Sequence, residues 1–174
     1  MKVRIRCLLL LVAVPIVAIP SRAQHRDPLN NAEIDQLRET NQEPDQRLKL
    51  IVKFARARLD SVDQIRSDPK TAAADRPSKI HDALEDFLSI YDELGDNLDM
   101  YREQRADLRK PLKEIVEADS EFRSKLDKVR EATTPDQLKE YGFVLTNITE
   151  ALRDGTEEHR RMLREANAQP RKKK

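Results

Sequence analysis

The sequence predicts an all-α fold, an elongated antiparallel helical bundle, and three observations predict it. Apolar residues recur at three- and four-residue steps over most of the chain beyond residue 44. Only 3 of 174 residues are Gly, too few for a turn-dense β-sandwich. Charged residues make up 37% of the chain, against roughly 25% in an average protein, as expected of long solvated helix faces.

The elements follow in order. Lys2, Arg4 and Arg6 precede an uncharged apolar run of 12 residues, Leu8 to Ile19, and Ser21 and Ala23 place small residues before a cut between Ala23 and Gln24. That is the layout of a secretory signal peptide over residues 1–23. A bilayer span needs about 20 apolar residues, so the expectation is export to a periplasmic or extracellular space. Anchoring to the membrane by an uncleaved signal is the alternative. The sole cysteine, Cys7, falls inside this segment, which leaves the chain beyond the cut without disulfide or thiolate chemistry. Four of the 33 basic residues and none of the 32 acidic ones precede the cut, so the remainder carries a net charge of −3.

Residues 24–43 read as a polar lead-in with one short helix, Asn31 as its cap and Ile34 and Leu37 on one face. Two apolar residues hold such a helix only if it docks. A single helical-bundle domain is expected over residues 44–168. Pro44 suits a first helical turn, where its missing N–H would be unpaired anyway. Leu48, Ile51, Ala55, Leu59, Val62 and Ile65 then form one stripe that Ser67-Asp68-Pro69 ends. The next helix opens near Asp75 and Pro77. Its apolar seam, Ile80, Leu84, Phe87, Tyr91, Leu94, Leu98 and Tyr101, has the alternating spacing of a heptad.

The same count continues through Leu108, Leu112, Ile115, Phe122, Leu126 and Val129 without a skip at Pro111. It predicts one long central helix kinked at Pro111, where the proline ring removes a hydrogen bond. From Pro77 to Glu131 such a helix would be about 80 Å long and would project from a compact body of about 15 Å radius of gyration. A compact four-helix bundle, with the chain broken at the proline, is the alternative. The final helix starts at Thr134-Pro135-Asp136-Gln137, a capping-box arrangement. Its seam runs from Leu138 to Ala166, ahead of a basic tail over residues 169–174.

Catalytic motifs leave little trace. Neither His81 nor His159 has the Glu three residues earlier that a di-iron helix motif requires, and no two histidines stand four apart. The closest glycines are 13 residues apart, which excludes phosphate loops and dinucleotide fingerprints. No metal, cofactor or catalytic residue is therefore expected. Asp92, Asp96, Asp99 and Glu103 share a helix edge but lack the loop that would converge their oxygens on calcium, and read as a solvated face. Asp119 and Arg105 interrupt the long seam, as register markers or frayed packing, and partial exposure is expected because a buried unpaired charge is costly.

Two surfaces stand out. Phe87, Tyr91, Leu94, Leu98 and Tyr101 are the candidate interaction seam, for self-assembly or an envelope partner. Arg160, Arg161, Arg164, Arg171, Lys172, Lys173 and Lys174 face only Glu165 in opposition and are the candidate contacts to an anionic membrane or envelope surface. Nucleic acid is disfavoured, since no aromatic residues are interleaved with these cations. The format of signal, low aromatic content and charged helices resembles that of small periplasmic helical chaperones. Leu145-Thr146-Asn147-Ile148-Thr149 matches their Leu-Thr-x-x-Gln element in part, with Thr149 where Gln belongs. The functional expectation is an exported non-enzymatic helical protein acting through protein contacts, self-assembling or chaperone-like. The alternative is a surface-attached module that uses the basic C-terminus.

Overall fold

A computed structural model describes residues 26–168; the proposed cleavage site Ala23–Gln24 and the terminal Arg171–Lys174 lie outside them. Five helices make up the described chain: α1 (Asn31–Glu39), α2 (Pro44–Ser67), α3 (Arg76–Glu103), α4 (Arg109–Glu131) and α5 (Pro135–Ala168). They pack as an all-helical bundle, in agreement with the sequence-based expectation. Among the described residues no helix is long and apolar enough to cross a membrane.

Local chemistry explains most boundaries. Pro44, Pro77 and Pro135 occupy the first two positions of α2, α3 and α5. Thr134 caps α5, receiving the Gln137 N–H at 3.4 Å, while the Gln137 side-chain oxygen accepts the Thr134 N–H at 3.0 Å. The cap of α1 is Asn30, one residue earlier than expected. Its side chain accepts from Glu33 N–H at 3.0 Å, and Glu33 returns a carboxylate to Asn30 N–H at 2.9 Å.

The long kinked helix does not form. α3 stops at Glu103 and α4 starts at Arg109. Arg105 has φ 58°, in the left-handed region. Its N–H donates to the Arg102 carbonyl at 2.9 Å, and the Ala106 N–H donates to the Tyr101 carbonyl at 3.0 Å. Those two bonds are the Schellman termination of a helix, built here without the usual glycine. Ala106 packs on the core as the apolar half of that motif. Pro111 is the third residue of α4, where its missing N–H breaks no intrahelical bond, so it is a start signal and not a kink. The seam keeps its count because the turn fills the one seven-residue step from Tyr101 to Leu108, and Leu108 is buried although it lies outside the helix. The compact four-helix bundle, the alternative reading, is the architecture.

Around the bundle α2 neighbours α3 and α4, and α5 neighbours the same two, while α3 and α4 sit on a diagonal. The pairs Asp45–Lys110, Arg56–Glu121 and Asp60–Lys125 advance in step, so α2 and α4 run parallel. Arg47–Asn97 and Arg58–Asp86 run in opposite order, so α2 and α3 are antiparallel. The diagonal helices meet only through side chains at the centre. There Phe87 and Phe122 stand edge to face with centroids 5.3 Å apart, a geometry worth about 0.5–1.5 kcal/mol beyond area burial.

Candidate functional site

Phe87, Tyr91, Leu94, Leu98 and Tyr101, expected as an interaction seam, are all buried in the chain's own core. A heptad stripe closes equally well on neighbouring helices of the same chain as on a second copy, and here it closes internally. Those residues are therefore not a docking surface.

One of them belongs to a polar cluster at the bundle centre. Tyr91 Oη donates to Asp119 Oδ1 at 3.0 Å, and His159 Nδ1 lies 2.9 Å from Asp119 Oδ2. α3, α4 and α5 each supply one member. Asp119 is 1% exposed, which corrects the expected partial exposure. Its burial is tolerated because both oxygens are hydrogen-bonded. Arg105, the other seam interruption, is exposed in the α3–α4 turn and does not meet it. Burial, then the charge of Asp119 and the hydrogen bond to it, hold the Tyr91 hydroxyl far above its ordinary range, so it remains a donor. Gly155 makes the room: a Cβ there would stand 2.5 Å from Tyr91 Oη.

Beside this cluster a hollow of about 360 Å³ opens between α3 and α5, floored by Tyr91 and His159 and edged by Asp92 and Asp96. Partial desolvation at the rim of the hollow, and then the neighbouring charge of Asp96, raise the Asp92 carboxyl above its usual range. Asp99, on the same edge, is offset by Arg102 at 2.8 Å. The four carboxylates of this edge, Asp92, Asp96, Asp99 and Glu103, are exposed, as a solvated face would be. Among the described residues no group of three His, Cys, Asp or Glu is placed to hold a metal ion.

A larger groove, of about 710 Å³, runs between the parallel helices α2 and α4. Leu48, Val52, Ile115 and Ala118 form its floor, Lys49 and Lys53 stand on the α2 wall, and Glu114 and Glu117 on the α4 wall. Asp45–Lys110 spans the two helices at one end, and Arg56–Glu121, at 2.9 Å, spans them at the other. Those four wall charges form no ion pair among the described residues. Sequence reasoning missed this groove. Its signal was present in α2, where Leu50 and Val52 fall outside the single stripe and give the helix a wider apolar arc than one neighbour can cover.

The basic C-terminal positions are placed in part. Arg160, Arg161 and Arg164 are exposed on α5. Arg161 is committed to Glu158 at 2.5 Å and Glu165 at 3.1 Å, whereas Arg160 and Arg164 form no ion pair among the described residues. No protein-family model, no curated protein and no solved structure matches this chain, so the geometry alone carries a functional reading.

Proposed function

We propose that this chain is an exported, non-enzymatic helical bundle that acts through protein contacts, with the α2–α4 groove as its docking surface for an amphipathic helix. The observation that carries the reading is the groove itself, an apolar floor between one basic and one acidic wall, bridged at both ends. From Gln46 to Arg56 it is about 15 Å long, room for three turns of a helix that lays an apolar stripe on the floor and sets opposite charges against the walls. The export half of the proposal rests on the three N-terminal cations, the apolar run and the small residues before Gln24.

A photo-crosslinking side chain at Lys53 or Glu114 tests the groove in the host's exported fraction, with the same group at Glu140 on the exposed face of α5 as control. Adducts are expected at the two groove positions only, and the double variant Lys49→Glu/Lys53→Glu should deplete them. Identical adducts from Glu140 would reject the groove as the docking surface.

A second reading is favoured by Arg160 and Arg164, exposed, four residues apart and without ion partners among the described residues. We propose on that ground attachment to anionic envelope material through the C-terminal end of α5 and the basic tail. It predicts vesicle binding that falls with salt and with Arg160→Gln/Arg164→Gln.

A further inference from the structure

The opposite flank of α2 already holds a helix, and the way it holds it is informative. α1 has nine residues, below the roughly 12–15 that an isolated helix needs in water, so docking maintains it. Only one of its large apolar side chains, Leu37, is fully buried. Ile34 is half-buried, Leu29 just ahead of the helix packs on the core, and Arg26 pairs with Asp86 of α3 at 2.7 Å; the polar grip on α1 itself comes from two arginines of α2.

Near the start of α1, Arg58 forks onto Glu33, Nη1 to Oε1 at 3.0 Å and Nη2 to Oε2 at 2.5 Å, and also donates to the Pro28 carbonyl at 2.7 Å. At the other end, Arg47 donates to the Leu37 carbonyl at 2.9 Å and to Asn41 Oδ1 at 2.8 Å. Both guanidinium groups are anchored on α3 as well, Arg47 on Asn97 at 2.6 Å and Arg58 on Asp86 at 3.8 Å. Arg47, Phe54 and Arg58 are seven and four residues apart, which puts them on one face of α2. Phe54 therefore lies between the two clamps, and it is 3% exposed.

We infer that the α2–α3 face carrying Arg47, Phe54 and Arg58 is a recognition surface for short acidic amphipathic helices, and that α1 is a resident occupant which another polypeptide's helix of the same kind displaces. The required partner is a helix with a carboxylate in its first turn, a leucine one turn later, and a polarity opposite to α2. The pair Glu33 and Leu37 sets this specification. Charge complementarity carries it further: the face presents two guanidinium groups held in position from below, and a bidentate carboxylate is the group that matches such a fork. Displacement exchanges like for like, because every contact α1 makes with the arginines is one that a second helix of this type reproduces.

The test uses the full chain and one probe, a fluorescent synthetic peptide with the sequence of residues 26–42. The chain variant Glu33→Gln/Leu37→Ala weakens the resident helix and leaves the face intact. The peptide should bind this variant at least tenfold more tightly than the unaltered chain, with affinity that falls as salt rises. A peptide carrying Glu33→Gln should lose most of that binding, and Arg58→Gln in the chain should do the same. Because Arg58→Gln also removes the Pro28 contact, the altered peptide provides the equivalent test on an unaltered face. Equal peptide affinity for variant and unaltered chain, or no binding to a variant that retains the bundle's thermal transition, overturns the inference. A dimer of the unaltered chain that the peptide dissociates overturns it too, because the occupant would then be a second copy.

Discussion

Asp119 bears on stability because two buried donors, Tyr91 Oη and His159 Nδ1, depend on it. Replacing it by Ala leaves Tyr91 Oη and His159 Nδ1 without their shared acceptor. At about 1–3 kcal/mol for each unsatisfied buried group, Asp119→Ala should cost about 3 kcal/mol, read as a lower urea midpoint with an unchanged slope. Two helical glycines give opposite results for a stated reason. Gly95 has nothing within 4 Å of an added Cβ, so Gly95→Ala should gain about 0.5–1 kcal/mol through helix propensity. Gly155→Ala drives a methyl into the Tyr91 ring edge, pinned by its bond to Asp119, and should cost about 1–3 kcal/mol. Thermal melts of the two variants on one plot check both. The sequence revealed that Asp119 and His159 both lie on seams, but not that they meet. One position every seven residues fixes a face, whereas the partner across a bundle depends on which helices become diagonal.

At the scale of elements, a first-turn proline opens α2, α3, α4 and α5 alike. Three of these starts were legible from caps and spacing. The fourth was obscured because the seam count ran through Pro111 and because the turn ahead of it contains no glycine. Arg105 adopts the left-handed conformation there at a cost, so Arg105→Gly should give a net gain of about 0.5 kcal/mol after the entropy of a freer unfolded chain is subtracted. Pro111→Ala should change stability by under about 1 kcal/mol and leave the far-ultraviolet circular dichroism unchanged. A rise in helicity would instead indicate α3 and α4 fusing. α1 has its own pH response. Burial pushes the Glu33 carboxyl up, but the Arg58 hydrogen bonds, the Asn30 N–H and the charges of Arg58 and Lys53 together hold it below its ordinary 4.5. A depressed carboxylate contributes stability above its unfolded value and loses it as pH falls through the folded one. Hydrogen exchange should therefore show α1 loosening below about pH 4.5 while the amides of α3 remain protected.

For the molecule as a whole, the difference between an 80 Å rod and a bundle no longer than α5, about 51 Å, is decided at five residues, Gln104–Leu108. Periodicity revealed the helices and their buried faces; it was silent on the sign of a connection, because a turn one heptad long conserves phase as faithfully as continuous helix does. The open groove and the strapped flank of α2 were illegible for a related reason, since both depend on which helices stand side by side. The diagonal placement of α3 and α4 carries a structural consequence. The chain consists of two hairpins, α2 with α3 and α4 with α5, and the only covalent tie between them is a strand of backbone slung across one end. A nick in that tie would remove no helix-to-helix interface, so the halves should behave as complementing fragments that find each other through the α2–α4 and α3–α5 interfaces, with the Phe87–Phe122 ring contact and the Tyr91–Asp119 hydrogen bond at the centre.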